Sequence, residues 1–467
     1  MVRDVGRQVT VCNKRRLIDN GSTPSSRRAR KLALDGVEHA LVIGDPMSLL
    51  RSHLKLSRDT LKINGLRFEL NRYRRIFVVG AGKASGRMAE YVESLLGERV
   101  TSGFVNVLKG TRGSLGTERI VLNEASHPIP DADGVRGAEE ILSLAESAKS
   151  SDLVICLISG GGSALMPLPR AGVSLDDKQD VTRRLILSGA DIYEINTVRK
   201  HLSGIKGGLL ARSVYPATLI SLILSDVVGD DVSVIASGPT APDDTTFGDA
   251  VSVLKKYGVW EAAPEHVRRI LEEGVRGGVE ETPKPRHPCF LKVHNVVVGS
   301  NREVCKGLKQ FYARRGLRSA LLTSTLEGEA RFAGYFLSSI VNEVSASKNP
   351  MAPPCALICG GETTVTVKGA GRGGRNQEVV LAALSKLRVR GGVALVSFGT
   401  DGVDGPTDAA GALIDGFSSR RASEKGLDVR RFLDGNDSYS FFSAMGDHVV
   451  TGPTGTNLND IAIMIIL

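Results

Sequence analysis

Short apolar runs alternate with stretches in which apolar residues return every third or fourth position, and the alternation persists along most of the chain. Runs of the first kind, closed by glycine or polar clusters, predict strands at 76–79, 104–108, 120–123, 153–158 and 218–224. Helical periodicity fills the gaps at 85–96, 134–148 and 176–188. The second half repeats the style, with strands expected at 293–298, 320–323, 356–359, 393–398 and 461–466 and helices at 302–314, 329–346 and 374–387. Such alternation predicts an α/β fold on a mainly parallel sheet. Six prolines and mixed helical signals between 239 and 292 mark a boundary, giving α/β domains over 26–285 and 286–467 with a cleft between them. Ligands in such sheets sit at the carboxyl ends of the strands, where the glycine clusters of this chain fall.

Charge changes this picture only at the N-terminus. The 467 residues carry a formal net charge of +9, and residues 1–31, with nine Lys or Arg against two Asp, hold seven of those charges. The remainder is nearly neutral, which argues against a nucleic-acid-binding body. Residues 1–25 are expected to be a basic extension, disordered or weakly docked. No apolar stretch approaches the ~18–20 residues of a membrane span, and the basic N-terminus lacks the apolar core of a secretory signal. Six scattered cysteines, none in a CxxC pair, read as buried thiols of a cytoplasmic protein. A small-molecule partner is expected, with neither nucleic acid nor membrane; a homodimer is left open.

The candidate chemistry lies in loops of one design: strand, glycine-rich turn, helix. The first holds Gly80, Gly82, Lys83 and Gly86. Its spacing is a weak dinucleotide fingerprint, because no acid closes a second strand about 20 residues on. Lys83 is a point charge at a helix start, suited to phosphate or carboxylate. In the second loop Ser159, Gly160, Gly161, Gly162 and Ser163 follow a clean strand, and three consecutive glycines offer a nest of N–H groups for phosphate oxygens. Asp226 emerges at a third strand end, able to bind Mg²⁺ or accept a hydroxyl proton. Asp230 and Asp231 read equally well as helix caps. The second domain supplies Glu362 after Gly360 and Gly361, Arg375 behind four glycines at a helix start, and Asp401 between Gly399 and Gly402. A glycine-flanked helix start carrying an arginine fork favours an anion. His127, alone after a strand, reads as structural. Three strand-end carboxylates with Lys83 and Arg375 describe a site for an anion, a phosphate chain and Mg²⁺, because phosphoryl transfer requires chiefly positioning and charge neutralisation.

Taken in chain order, VVGAGKASGRMA, SHPIPDADG, ISGGGSAL, EINTVRKHLSGIKGG, LILSDVVGDD with IASGPTAPDDTT, GGETTVTVKGAGRGGRNQE, GTDGVDGPTDAAGA and TGPTGTNLNDI resemble the class II glycerate kinases, the glycerate 2-kinase or MOFRL family, from about residue 27 to 467. The SHP triplet stands where that family would have Gly-His-Pro. The resemblance implies a Rossmann-like larger domain, an active site in the cleft, and ATP- and Mg²⁺-dependent conversion of D-glycerate to 2-phosphoglycerate in the cytosol. It implies catalytic roles for Lys83, Asp226, Glu362, Arg375 and Asp401. Lys83 and Arg375 would hold the glycerate carboxylate and the transferring phosphoryl group. Asp226 would take the 2-hydroxyl proton or bind Mg²⁺, Glu362 and Asp401 would complete the metal and hydroxyl contacts, and residues 159–163 would cradle the ATP phosphates. A hydroxypyruvate reductase using NAD(P)H is the rival reading; GAGKASG invites it, and the missing ribose-binding acid opposes it. The other rival is a non-catalytic anion- or nucleotide-binding regulator, which carboxylates set against cations disfavour.

Overall fold

The computed structural model describes residues 10–467, which divide into two compact units: Leu49–Val298, and Gly299–Leu467 together with the chain up to Ser48. The bounds expected lay at 25/26 and 285/286; the division falls elsewhere because the helix Pro24–Ile43 packs on the strands Val393–Gly399 and Asp460–Ile466 of the second sheet and the strand Val293–Gly299 joins the first.

Leu49–Val298 opens with a small antiparallel sheet of β1 (Leu54–Ser57), β2 (Thr60–Ile63) and β3 (Leu66–Glu69). Its main sheet comprises β4 (Ile76–Ala81), β5 (Ser102–Leu108), β6 (Ile120–Ala125), β7 (Leu153–Ile158), β8 (Thr218–Leu224) and β9 (Val293–Gly299), in the order β6-β5-β4-β7-β8-β9. The pairs β5–β6, β4–β5, β4–β7 and β7–β8 are parallel. β4 and β7 are buried along their whole length, which is why they read as uninterrupted apolar runs. The order reverses between β4 and β7, as in doubly wound nucleotide-binding folds, so a crevice opens at their carboxyl ends. Helices between residues 175 and 275 form a further layer whose own core buries Val181, Leu185, Ile195, Val198, Phe247 and Leu271.

The other unit holds β10 (Arg318–Leu326), β11 (Cys355–Gly361), β12 (Val393–Gly399), β13 (Gly411–Asp415), β14 (His448–Val449) and β15 (Asp460–Ile466), in the order β10-β11-β15-β12-β13-β14. Only β10–β11 is parallel among the pairs described. The parallel expectation therefore holds for the first sheet alone. Here the final strand slots between β11 and β12, antiparallel to both, and no helix separates β12 from β13 to carry a parallel crossover.

Residues 10–25 are not the loose extension expected; residues 1–9 of that segment lie outside the described residues. Cys12 N donates to Val450 O at 2.7 Å, Asn13 Nδ2 donates to His448 O at 2.7 Å, and Leu17 is fully buried. The helix Pro24–Ile43 starts where Thr23 Oγ1 accepts from Ser26 N at 3.2 Å and proline occupies the first turn. It lies on β12 and β15 with Ala29, Ala33, Val37 and Ala40 buried. Arg30 on this helix is fully buried: Nε donates to Asp415, and Nη1 and Nη2 donate to Asp447 at 2.8 and 3.1 Å. Arg421 bonds the same two acids at 3.2 and 2.7 Å, so two cations and two carboxylates neutralise one another in a dry core. Lys14 pairs with Asp35 and Glu38. Part of the basic N-terminal excess thus serves internal carboxylates. No helix among the described residues is long and apolar enough to cross a membrane.

Removing one member of a buried ion network leaves the others uncompensated. Arg30→Ala should cost about 3 kcal/mol or more and lower the hydrogen-exchange protection of β13 and β14. Arg15→Ala, at a nearly fully exposed side chain, should change neither. Equal protection in the two variants would show that the network does not hold the N-terminal helix to the sheet.

Candidate active site

In Leu49–Val298 the sequence-predicted residues Lys83, Asp226 and 159–163 meet at the crevice between β4 and β7. The loops after these strands are fastened to each other: Lys83 N donates to Gly160 O at 2.9 Å and Ala84 N donates to Ser159 Oγ at 3.0 Å. The Ser159 hydroxyl is therefore a staple between loops, buried to 2 % exposure. Each glycine of the triplet makes room for a different neighbour. A Cβ on Gly160 would stand 2.3 Å from Asp226 Oδ2. One on Gly161, where φ is 80°, would meet His127 Cδ2 at 2.9 Å and Lys83 Cγ at 3.2 Å. One on Gly162 would meet Ala236 Cβ at 2.8 Å. Lys83, His127 and Asp226, carried by the ends of β4, β6 and β8, thus converge on one turn after β7.

His127 is brought there by a fixed loop. Asp131 accepts from Gly134 N at 2.9 Å and from Ser126 Oγ at 2.6 Å, and pairs with Lys109 at 2.6 Å. Burial, and then the positive charge of Lys83, push the imidazole down to about 4, so it is neutral at physiological pH. On the far side of the triplet Ser163 Oγ lies 2.9 Å from Ser237 Oγ. Ala236 and Ser237 both hold left-handed backbone, with φ of 51° and 61°, a cost of roughly 1–3 kcal/mol each for non-glycine residues.

In the other unit Glu362, Arg375 and Asp401 gather at one edge of the mixed sheet, around a residue the sequence reading passed over. Asp460, the first residue of β15, stands between Gly361 of β11 and Gly399 of β12. Arg375 grips it with two bonds, Nε to Oδ2 at 2.6 Å and Nη2 to Oδ1 at 3.1 Å, and donates Nη1 to Glu362 Oε1 at 2.6 Å. Glu362 Oε2 accepts from Asn459 Nδ2 at 2.9 Å. Burial pushes the Asp460 carboxyl up, and the guanidinium pulls it back. A Cβ on Gly399 would stand 3.1 Å from Asp401 Oδ1 and 3.5 Å from Asp460 Oδ1, so both acids border the same point.

The anion expected at the start of helix Arg375–Lys386 is the chain's own. Asn376 N and Gln377 N donate to Asp404 Oδ1 and Oδ2 at 3.0 and 2.9 Å. The glycines before the helix admit neighbouring segments: a Cβ on Gly371 would meet Asp437 Cβ at 2.4 Å, and one on Gly373 would meet Ser438 Oγ at 2.2 Å. The helix terminus is therefore filled internally, and the Arg375 guanidinium keeps N–H groups beyond those it gives Asp460 and Glu362.

Residues 32–272 match a domain of unknown function, DUF4147, and residues 355–460 match the MOFRL family. A glycerate 2-kinase of Pyrococcus horikoshii is 44% identical over 94% of this chain and 97% of its own. The crystal structure of a glycerate kinase from Thermotoga maritima, at 40% identity, superposes with a TM-score of 0.83 over 94% of this chain and 99% of that one. The chain belongs to the DUF4147–MOFRL family. An Agrobacterium vitis protein with the provisional name hydroxypyruvate reductase is also similar, at 42% identity over 84% of this chain and 87% of its own.

DUF4147 spans the crevice loops of β4, β7 and β8, and MOFRL spans Glu362 through Asp460. Asp460 was not singled out in the sequence, and His127 was read there as structural, for related reasons. Each lies in a motif visible in the sequence, but its partner is remote: Lys83 for the histidine, Arg375 for the aspartate. An aspartate directly before an apolar strand was the available signal for Asp460. Among the described residues no three or more His, Cys, Asp or Glu side chains stand together as a metal-ligand set. Mg²⁺ usually takes one or two carboxylates, with phosphates and water completing its shell. Asp226, beside the glycine turn, fits that demand. Both Glu362 oxygens accept a hydrogen bond, from Arg375 and Asn459.

His127 gives a pH prediction with a definite sign. Its folded value lies below the ordinary 6.5, so protons favour the unfolded chain. The contribution is intact above about pH 6.5 and is lost as pH falls toward about 4. His127→Asn should flatten that part of the stability–pH curve. In Lys83→Met the His127 titration followed by NMR should move up; an unmoved titration would mean that Lys83 and His127 do not sense each other.

Proposed function

We propose that this protein is a glycerate 2-kinase, transferring the γ-phosphoryl group of ATP to the 2-hydroxyl of D-glycerate. The observation that carries the reading is the convergence of Lys83, Asp226 and the triple-glycine turn at the switch point of a doubly wound sheet. The glycerate kinase names of close relatives support it. The 2-hydroxyl oxygen attacks the γ-phosphorus, a new O–P bond forms as the bond to the β–γ bridging oxygen breaks, and ADP leaves. The hydroxyl proton passes to Asp226. Lys83 neutralises charge on the transferring group, and the turn at 159–163 holds the phosphate chain through its backbone. In the other unit Arg375, clamped by Asp460 and Glu362, keeps N–H groups that suit an anion, with Asp401 beside them. In the alternative role Asp226 would hold Mg²⁺, which would offset phosphate charge. A reducing, cytoplasmic setting accords with six free thiols, five of them buried.

A reductase would require an acid at the end of the second strand of the nucleotide-binding fold. Here β5 ends at Leu108 and is followed by Lys109. Failure of NAD(P)H to be oxidised with hydroxypyruvate would dispose of that reading.

The deciding assay supplies ATP, Mg²⁺ and D-glycerate and couples product to enolase without phosphoglycerate mutase. Signal is expected at once; signal only after mutase is added would mean 3-phosphorylation. Lys83→Ala should lower kcat about 10³-fold, and Arg375→Lys should be a poor substitute because the fork is lost. Recovery of Asp226→Asn by raised Mg²⁺ would reassign that residue from base to metal ligand.

A further inference from the structure

The kinase reading leaves one motif unused, EINTVRKHLSGIKGG at 194–208. It contributes two of three buried or half-buried cations that lack a countercharge among the described residues. Lys206 is 1 % exposed, and its ammonium donates to Ala236 O at 3.1 Å. Lys178, on helix Leu175–Leu187, is buried, and its ammonium reaches Leu168 O at 3.4 Å. Arg199, on helix Ile192–His201, is half-buried, and its guanidinium has no hydrogen-bond partner among the described residues. The three are close enough to repel one another, and among the described residues no carboxylate pairs with any of them. Lys200, between them in sequence, shows the alternative: it pairs with the buried Asp243 at 3.2 Å.

Like charges removed from water without a partner are costly. Burial and mutual repulsion push both lysines down, Lys178 to about 7. The cluster also has an address. The carbonyl that accepts from Lys206 belongs to Ala236, which packs on Gly162. Ser237 donates to Asn196 Oδ1 at 2.9 Å and lies 2.9 Å from Ser163 Oγ. Asn196 and Arg199, three apart on one helix, share a face. Lys206 and the helix of Arg199 are therefore joined to the β7 turn through Ala236 and Ser237, and Lys178 lies near enough to both cations to repel them.

We infer that Lys178, Arg199 and Lys206 form an anion subsite behind the β7 turn that takes a phosphate group, an assignment that rests on the kinase reading. Three cations suit a multiply charged phosphate better than the single charge of a carboxylate. The group is either the nucleotide's phosphate tail or the phosphate of the product, and the two sources are separable by experiment.

The test is calorimetric binding of ADP, 2-phosphoglycerate and inorganic phosphate to the full chain without turnover, in wild type, Lys206→Met and Arg199→Met. Both variants should bind a phosphate ligand about tenfold or more weakly, with D-glycerate binding unchanged. Ligand-free Lys206→Met should unfold at higher urea than wild type, because an uncompensated buried charge is gone. Weakening confined to ADP assigns the nucleotide tail; weakening confined to 2-phosphoglycerate assigns the product phosphate. Unchanged phosphate binding in a less stable Lys206→Met overturns the subsite and makes the lysine a structural post. If Lys206→Met does not fold, unchanged binding in Arg199→Met overturns it equally. Lost phosphate binding in a protein silent in the enolase assay would keep the subsite and discard the glycerate reading.

Discussion

The pairing of β4 with β7 is the constraint on which Leu49–Val298 depends. β4 is the first strand of its sheet, and the chain builds β5 and β6 on one side of it before returning to lay β7 on the other. Both strands are wholly buried, so their backbone groups must bond to each other, and the loops that follow are forced apart only beyond the last rung. Lys83 N to Gly160 O and Ala84 N to Ser159 Oγ continue the pairing into those loops. This stitching fixes a turn narrow enough that only glycine fits between Asp226, His127 and Ala236. The catalytic candidates are ordered because the sheet is, and none depends on a flexible tether.

In the second unit the comparable constraint is β15. As the last strand and a central one, it must find both neighbours already in place, and its first residue is an aspartate at the open edge. Burying that carboxylate is tolerable only because Arg375 meets it with two bonds. The same arginine is thereby held in one rotamer, a precondition for gripping a ligand in a defined direction. A second buried network, Arg30 and Arg421 with Asp415 and Asp447, attaches the N-terminal helix to this sheet. Stability and site geometry thus share a device: a carboxylate made safe to bury by a planar cation.

All ten strands expected from apolar runs exist, as do the six expected helices, because period and burial are local properties of sequence. What escaped were features set by partners far along the chain. β13 and the small sheet at 54–69 are short and stabilised by pairing more than by pattern. The helix Pro24–Ile43 lies within a basic stretch, and net charge gave no hint that Arg30 would be buried against acids some 400 residues on. Of the candidate site, Lys83, Asp226, Glu362, Arg375 and Asp401 were singled out from their places at strand ends or helix starts, in or near glycine-rich turns. Asp460 was not, and His127 was read as structural, because neither a lone aspartate nor a lone histidine announces the cation beside it.

Glycine-rich loops show why such signals require geometry to interpret. The triplet after β7 and the run before Arg375 look alike in sequence, and each was read as an opening for an anion. Around the second, the space a side chain would fill is occupied by Asp404, Asp437 and Ser438, and Asp404 already satisfies the helix N–H groups. Around the first, two of the three neighbours are the carboxylate of Asp226 and the imidazole of His127, groups with chemistry of their own. Close packing explains the glycines in both loops, so glycine content alone cannot distinguish a binding loop from a packed one. The distinction lies in charge balance. Before Arg375 every buried cation has its carboxylate, whereas behind the β7 turn Lys178, Arg199 and Lys206 have none among the described residues. A fold that pairs Arg30, Arg375 and Lys200 with acids has the means to neutralise buried cations, and leaving three together without one is the arrangement an incoming anion completes.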